Sequence, residues 1–279
     1  MTVIAVCQLS LAVGDTDGNL AAAADAVGEA AEEGAGLVVL PELCDSGYVF
    51  TGPDEARGLA SPAGDSRALR QWHELARANQ TVIVGGFCEL GPDGRLHNSA
   101  ALVDASGTRV VYRKAHLWDK EKQVFTPGGG PPPVLTLPIG RVGVMICYDL
   151  EFPEWVRQAA LTGADLIAAP VNWPAAAHPA AERPAEVVKA QAGASVNGVF
   201  IAVADRCGEE RGVSWIGGSL IAGPDGYPLA GPADAGRPAV LSVDCDLAQA
   251  RDKRINENND LLADRRADLY QAELHQADL

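Results

Sequence analysis

The sequence predicts a mixed α/β domain of two related halves, each contributing a sheet, with the sheets packed face to face and helices outside. Three observations carry this expectation. Apolar strand patterns alternate with helix patterns in both halves of the chain. Two stretches echo each other, Gly34-Ala35-Gly36-Leu37-Val38-Val39-Leu40-Pro41-Glu42 and Gly163-Ala164-Asp165-Leu166-Ile167-Ala168-Ala169-Pro170-Val171, each a helix stop, a buried strand and a proline. No linker rich in Gly, Ser or Pro parts the halves, Pro131-Pro132-Pro133 being too short to act as one, and 279 residues suit one large domain.

The elements follow in order. Residues 3–9 form an apolar strand, 17–33 an Ala-rich helix ended by Gly34, and 37–40 a buried strand stopped by Pro41. A helix over 66–79 leads to a strand over 81–87. The turn signals Asp93-Gly94 and Ser106-Gly107 then separate short strands, among them 99–103 and 109–112. The second half restarts the scheme with a strand over 141–147, a helix over 153–161, a strand over 165–169 ended by Pro170, a helix over 185–197 and a strand over 199–204. Open α/β sheets place their chemistry at the carboxyl ends of strands, which directs attention to the residues just past Leu40, Ile146 and Ala169.

Composition narrows the function classes. With 47% hydrophobic and 21% charged residues the chain is globular, which excludes a disordered, collagen-like or low-complexity protein. Its 22 basic against 37 acidic residues give a net charge of −15, a surface that repels phosphate backbones and disfavours nucleic acid and anionic membranes as partners. The start, Met1-Thr2-Val3-Ile4-Ala5-Val6, has no basic segment before its apolar run and so is no signal peptide, and no apolar run approaches the ~20 residues of a membrane span. Six cysteines, at 7, 44, 88, 147, 207 and 245, lie far apart without CxxC or metal-like spacing. The expectation is a cytoplasmic protein with reduced thiols and no metal, and the question becomes whether one thiol is a nucleophile.

Cys147 stands out by position. It ends a strand pattern a few residues before the helix that Pro153 helps to start, where the dipole and free N–H groups stabilise a thiolate. The competing reading is a buried structural cysteine. Cys7, Cys88 and Cys245 sit inside strand patterns and read as core, while Cys44 and Cys207 fall in loops. Glu42 follows Pro41 at the end of an apolar strand, where desolvation raises a carboxylate toward the range of a general base; a solvated loop glutamate is the alternative. Lys114, in Tyr112-Arg113-Lys114-Ala115-His116, can donate to an oxyanion and lower a nearby thiol pKa, or be an ordinary surface lysine. His116 has no spacing that links it to Cys147.

Together, Pro41-Glu42-Leu43, Tyr112-Arg113-Lys114 and Ile146-Cys147-Tyr148-Asp149 resemble the three signature segments of the nitrilase, or carbon–nitrogen hydrolase, superfamily. The resemblance spans nearly the whole chain, from Val3-Ile4-Ala5-Val6-Cys7-Gln8 through Glu121-Lys122-Gln123-Val124-Phe125 to Asn259-Asp260-Leu261-Leu262. It implies a four-layer α-β-β-α sandwich of two mixed sheets, with a single domain over 1–270 and a C-terminal tail over 271–279. It also implies Cys147 as nucleophile, Glu42 as general base and acid, and Lys114 as the oxyanion-stabilising cation. Glu121 matches a second glutamate that helps to position the lysine, and the N–H of Tyr148 completes the oxyanion hole. No metal or organic cofactor is implied. Family members pair through helices flanking the nucleophile, which points to a homodimer or larger homo-oligomer using residues 151–160 and the segment after Val243.

The branch is read from finer features. Tyr148-Asp149 after the cysteine resembles amidases and carbamoyl hydrolases rather than nitrilases with Trp-Glu, and Val171-Asn172-Trp173-Pro174 resembles hydrolases of small aliphatic amides. The expected reaction is cleavage of a small aliphatic amide to acid and ammonia through a cysteine thioester. Asn172, Trp173 and Tyr48 then line the acyl pocket, with plain packing the alternative for Trp173. Rival readings are an N-carbamoyl amine or acid hydrolase, a nitrile hydrolase, and an inactive interaction protein. The chain departs from the family pattern at Lys189-Ala190-Gln191, Val196-Asn197 and Asp205-Arg206, all on the substrate side.

Overall fold

A computed structural model describes residues 1–179 and 181–270. The expected tail over 271–279 lies outside the described residues. The first half runs β1 (Thr2–Gln8), α1 (Thr16–Glu32), β2 (Ala35–Val39), α2 (Pro53–Leu59), α3 (Arg67–Asn79), β3 (Val82–Leu90), β4 (Leu96–Asp104) and β5 (Gly107–Arg113). The second continues with α4 (Glu121–Val124), β6 (Val134–Leu137), β7 (Gly140–Val144), α5 (Pro153–Leu161), β8 (Leu166–Pro170), α6 (Ala185–Asn197) and β9 (Phe200–Ala204). Short strands β10 (Glu209–Glu210), β11 (Val213–Ser214), β12 (Leu220–Ala222) and β13 (Pro228–Ala230) precede β14 (Ala239–Cys245).

Two six-stranded sheets result, ordered β14-β1-β2-β3-β4-β5 and β13-β12-β9-β8-β7-β6. In each, three parallel strands occupy the centre, β1-β2-β3 and β7-β8-β9, with antiparallel strands on both sides. The echoed stretches are the equivalent middle strands β2 and β8. The sandwich of two mixed sheets expected from the sequence is therefore what the chain forms.

The period-2 geometry of strands explains the layering. Ile4, Val6, Leu37, Val39, Val82 and Val84 join one core with Val142, Leu166, Ile201 and Ala202 of the second sheet. Their neighbours Ala5, Cys7, Val38, Leu40 and Ile83 face the other way, against Leu20, Ala23 and Val27 of α1 and Leu69, Trp72 and Ala76 of α3. Strands buried on both faces read as unbroken apolar runs, which is how β1 and β2 appear in the sequence. Local signals set the helix ends: Asp15 and Ser66 accept from the N–H groups of Gly18 and Leu69, and Gln80 ends α3 in the left-handed conformation.

Several elements differ from expectation. The strand predicted over 141–147 ends at Val144, and Cys147–Glu151 is a 3₁₀ turn instead. The Asp149 side chain accepts from the Ile146 N–H at 3.1 Å, which bends the chain out of the sheet before the cysteine. The short helices α2 and α4, the four-residue edge strand β6 and the two- and three-residue strands β10–β13 are too brief for periodicity to mark. The seven residues of β14, with Leu241, Val243 and Cys245 alternating with Ser242 and Asp244, are long enough and, apart from the strand pattern around Cys245, were missed. No helix among the described residues is long and apolar enough to cross a membrane. All six cysteines are free and buried.

Candidate active site

Four segments meet at the carboxyl ends of the central strands. Pro41 ends β2, yet its carbonyl accepts from the Gly86 N–H (3.0 Å) and the Cys44 N–H donates to the Gly86 carbonyl (2.8 Å), so the chain stays on β3 through Glu42. Only glycine permits that approach, since a Cβ on residue 86 would lie 2.5 Å from Glu42 Cα. Across the seam between the halves, the Glu42 N–H donates to the Val171 carbonyl (3.4 Å) and Asn172 Nδ2 to the Glu42 carbonyl (2.9 Å). The echoed strands thus end in one another. Lys114 follows β5, its N–H held by the Asn98 carbonyl (2.9 Å) and its carbonyl by the Gly128 N–H (2.8 Å). Glu121 opens α4.

The side chains form a buried charge cluster. Lys114 Nζ donates to Glu42 Oε1 at 2.6 Å and to Glu121 Oε1 at 2.8 Å, with both carboxylates and the ammonium sealed from solvent. Asn98 Nδ2 also donates to Glu42 Oε1 (2.7 Å) and to Glu121 Oε1 (3.3 Å). Tyr48 Oη donates to Glu121 Oε1 (2.7 Å), and the Trp118 N–H to Glu121 Oε2 (2.9 Å). An ammonium carries three N–H groups, so one remains after the two carboxylates. Glu42 Oε2 is buried with no hydrogen-bond partner. Such an orphaned oxygen is costly unless a reacting group uses it.

Burial pushes Glu42 up to about 7, opposed by Lys114 and reinforced by Glu121. Burial also works against the Lys114 charge, but Glu121 and Glu42 outweigh it and hold the ammonium well above its ordinary value. For Cys147, burial and then the Glu42 charge raise the thiol well above its ordinary value, with Lys114 acting the other way. This corrects the expectation of a thiolate stabilised in the resting protein. The nearby helix start and lysine do not overcome burial, and the group is a thiol until a base removes its proton.

Cys147 adopts φ +46°, a left-handed conformation uncommon for a side chain with a Cβ, and its Sγ lies 3.8 Å from the Asn172 carbonyl. It opens a 3₁₀ turn, where the N–H of Tyr148 has no intrahelical acceptor. Cys147 and Glu121 reach the wall of a cavity of about 440 Å³ that Tyr48, Tyr148, Asn172 and Trp173 also line. Trp118, Phe125 and Trp215 make that wall largely aromatic, and Asp119, Lys120, Glu151 and Glu186 stand around it. Glu151 pairs with Lys189 at 2.5 Å. Glu42 and Lys114 are not part of the wall; they are buried beyond it.

Every residue singled out from the sequence therefore falls in one region, and two have more specific partners than expected. Tyr48 holds Glu121, and Asn172 holds the Glu42 backbone. Sequence reading missed Asn98, Trp215 and the buried pair Arg206–Glu210 (2.8 Å), whose Glu210 accepts from the N–H groups of Tyr48 and Val49 (3.0 and 2.7 Å) and fixes that loop. It also missed that His116, set aside for want of spacing, bonds to Asp149, two residues beyond Cys147. Asp205, at one departure from the family pattern, accepts from the Trp173 N–H (3.0 Å) and so supports the pocket wall. Among the described residues no group of three or more His, Cys, Asp or Glu is placed to hold a metal ion.

Comparison with known proteins agrees with this geometry. A nitrilase of Pyrococcus abyssi is 38% identical over 97% of this chain and 99% of its own length. An (R)-stereoselective amidase of a Pseudomonas species is 34% identical over 94% and 91%. A Glu-to-Gln variant of the amidase from Nesterenkonia sp. AN1, with the acetamide moiety of fluoroacetamide covalently added at its active-site cysteine, superposes with a TM-score of 0.80 at 32% identity, covering 96% of this chain and 95% of that one. The carbon-nitrogen hydrolase family profile matches residues 3–255, and with the fold and the relatives in agreement the chain belongs to the carbon–nitrogen hydrolase family.

Proposed function

We propose that this amidase-type enzyme hydrolyses a small linear aliphatic amide to the carboxylic acid and ammonia through a thioester on Cys147. The observation that carries the reading is the Glu42–Lys114–Glu121 cluster, with one N–H of Lys114 and one oxygen of Glu42 uncommitted, set behind a buried thiol at the wall of an apolar cavity. Cys147 Sγ attacks the amide carbonyl as Glu42 takes the thiol proton. The free N–H of Lys114 and the N–H of Tyr148 bind the developing oxyanion. Glu42 passes its proton to the departing nitrogen, ammonia leaves, and a thioester remains. The same carboxylate then takes a proton from water, whose oxygen attacks the thioester, and returns it to sulfur as the acid departs.

An ordinary carboxylate is too weak a base for a thiol, and Glu42 at about 7 is nearer to the task. The adduct in the Nesterenkonia amidase, the acetamide moiety of fluoroacetamide on its cysteine, supports a nucleophilic thiol within reach of a small aliphatic amide. The relative named a nitrilase supports a second reading, nitrile hydrolysis at the same cysteine. Measuring ammonia and CO₂ over a panel of aliphatic amides, ureido compounds and nitriles separates these from N-carbamoyl hydrolysis. Cys147→Ala and Glu42→Gln are each expected to lower turnover by several orders of magnitude, and near-normal turnover in either sinks the scheme.

Two proposals concern the setting. Six free, buried thiols support a reducing compartment, the cytoplasm. Leu161 at the end of α5 and Val188 and Val196 on α6 are about half exposed, which supports pairing of two copies through this side of the molecule.

A further inference from the structure

We propose that Asp149 is a positioning residue that sets the lysine-bearing segment of the first half in register with the nucleophile turn of the second. The inference rests on the reaction proposed above and adds a residue that does not touch the reacting atoms. Asp149 is fully buried, and its carboxylate takes four hydrogen bonds from the protein. Oδ2 accepts from the Ile146 N–H (3.1 Å) and from Tyr112 Oη (2.7 Å). Oδ1 accepts from the His116 N–H (3.1 Å) and His116 Nδ1 (2.7 Å), the latter carrying the proton in the tautomer this network requires. A carboxylate has about four acceptor sites, so none is left for a substrate.

The donors come from both sides of the seam. Tyr112 belongs to β5 in the first sheet, and His116 lies two residues beyond Lys114. Ile146 follows β7 of the second sheet and immediately precedes Cys147. One side chain therefore grips the chain on either side of Lys114 and the peptide before the nucleophile. The grip is itself held: Trp155 Nε1 donates to Tyr112 Oη (3.0 Å), and the His116 ring stacks on Phe152 with centroids 3.8 Å apart. A cysteine at φ +46° stays there only when its surroundings impose it, and Asp149 holds both sides of Ile146, its side chain accepting from the Ile146 N–H (3.1 Å) and its own N–H donating to the Ile146 carbonyl (3.0 Å).

Replacement by asparagine is informative because an amide has a single oxygen. The tyrosine hydroxyl and the imidazole can exchange donor for acceptor, but a backbone N–H cannot. Whichever way the amide turns, either Ile146 or His116 loses its acceptor, and the lysine and the thiol shift relative to each other. A misplacement of ~1 Å between reacting groups costs about 10²-fold in rate.

The experiment compares the full-length wild type, Asp149→Asn and Tyr112→Phe on a small aliphatic amide. It also measures the rate at which iodoacetamide alkylates Cys147, located by mass spectrometry, and thermal unfolding. The expected result is a kcat lowered about 10²-fold in Asp149→Asn and about 3- to 10-fold in Tyr112→Phe, with KM within about threefold and a cooperative transition above the assay temperature. If Asp149→Asn does not fold, Tyr112→Phe decides by the same split. Variants that keep kcat and alkylation rate within twofold of wild type, or that change KM alone, overturn the proposal. A wild type inactive on amides, with alkylation of Cys147 still slowed at least tenfold in the variant, refutes the reaction and upholds the positioning role.

Discussion

Glu121→Gln tests the charge cluster most directly. Glu121 Oε1 accepts from Lys114, Tyr48 and Asn98, and Oε2 from the Trp118 N–H. Glutamine can present its oxygen to one group of donors only. With the oxygen toward Lys114, its NH₂ meets the Trp118 N–H; turned over, the NH₂ meets the ammonium. A buried donor left without an acceptor costs about 1–3 kcal/mol, and a hydrogen bond to a charged partner is worth about 1.5–3 kcal/mol net. At 2.8 Å the gross attraction is about 6 kcal/mol for an effective dielectric of about 20, most of it offset by desolvation. Either loss suffices to move the ammonium off the oxyanion position, and kcat is expected to fall roughly 10²–10³-fold. A second readout carries a sign. Burial is the main reason that Glu42 sits near 7, and the Glu121 charge raises it further. Removing that charge moves Glu42 down, so the acid limb of kcat/KM shifts to lower pH as kcat falls. Steady-state kinetics by ammonia release from pH 5 to 9 reads both quantities. A kcat within threefold of wild type, or an acid limb that moves upward, refutes the reasoning.

For the wild type, Glu42 must be ionised to accept the thiol proton, so kcat/KM is expected to rise as pH increases through about 7; a fall over that interval contradicts its role as base. Gly86→Ala places a Cβ 2.5 Å from Glu42 Cα and from Leu43 N, both backbone atoms. It is expected to cost about 1–3 kcal/mol in chemical unfolding and to lower kcat at least tenfold, whereas unchanged activity shows that the loop carrying Glu42 is freer than its hydrogen bonds imply. Light scattering at micromolar concentration is expected to give at least twice the chain mass, and a monomer refutes pairing through α5 and α6.

What the sequence made legible was local. Strands buried on both faces are unbroken apolar runs, so β1, β2, β8 and β9 are plain, and Gly34 marks the end of the first helix by a rule that acts within a turn. The repeat of β2 in β8 was readable because a proline stops each apolar run, Pro41 two residues past β2 and Pro170 as the last residue of β8. Glu42, Lys114 and Cys147 became a set only through resemblance to a family, since nothing in their spacing of 72 and 33 residues shows that they meet. The same limit hid His116: its bond to Asp149 joins two sheets, and no period along the chain encodes it. Cys147 was placed in a strand because Val144-Met145-Ile146 are apolar, but the side chain three residues after Ile146 ends the strand early. The raised thiol was missed for a related reason. Burial is a property of the packed molecule, and it outweighed the lysine that the sequence displayed.

The acidic residues around the cavity have a directional effect. In the proposed hydrolysis the substrate is neutral and one product is an anion. With Glu151 paired to Lys189, Asp119 and Glu186 against Lys120 leave a surplus of one negative charge around the cavity, on a chain of net charge −15. That field is nearly indifferent to an arriving amide and repels a departing carboxylate. The surplus of acid thus acts as an exit bias, clearing the thiol for the next acyl group and disfavouring re-entry of the acid as it accumulates.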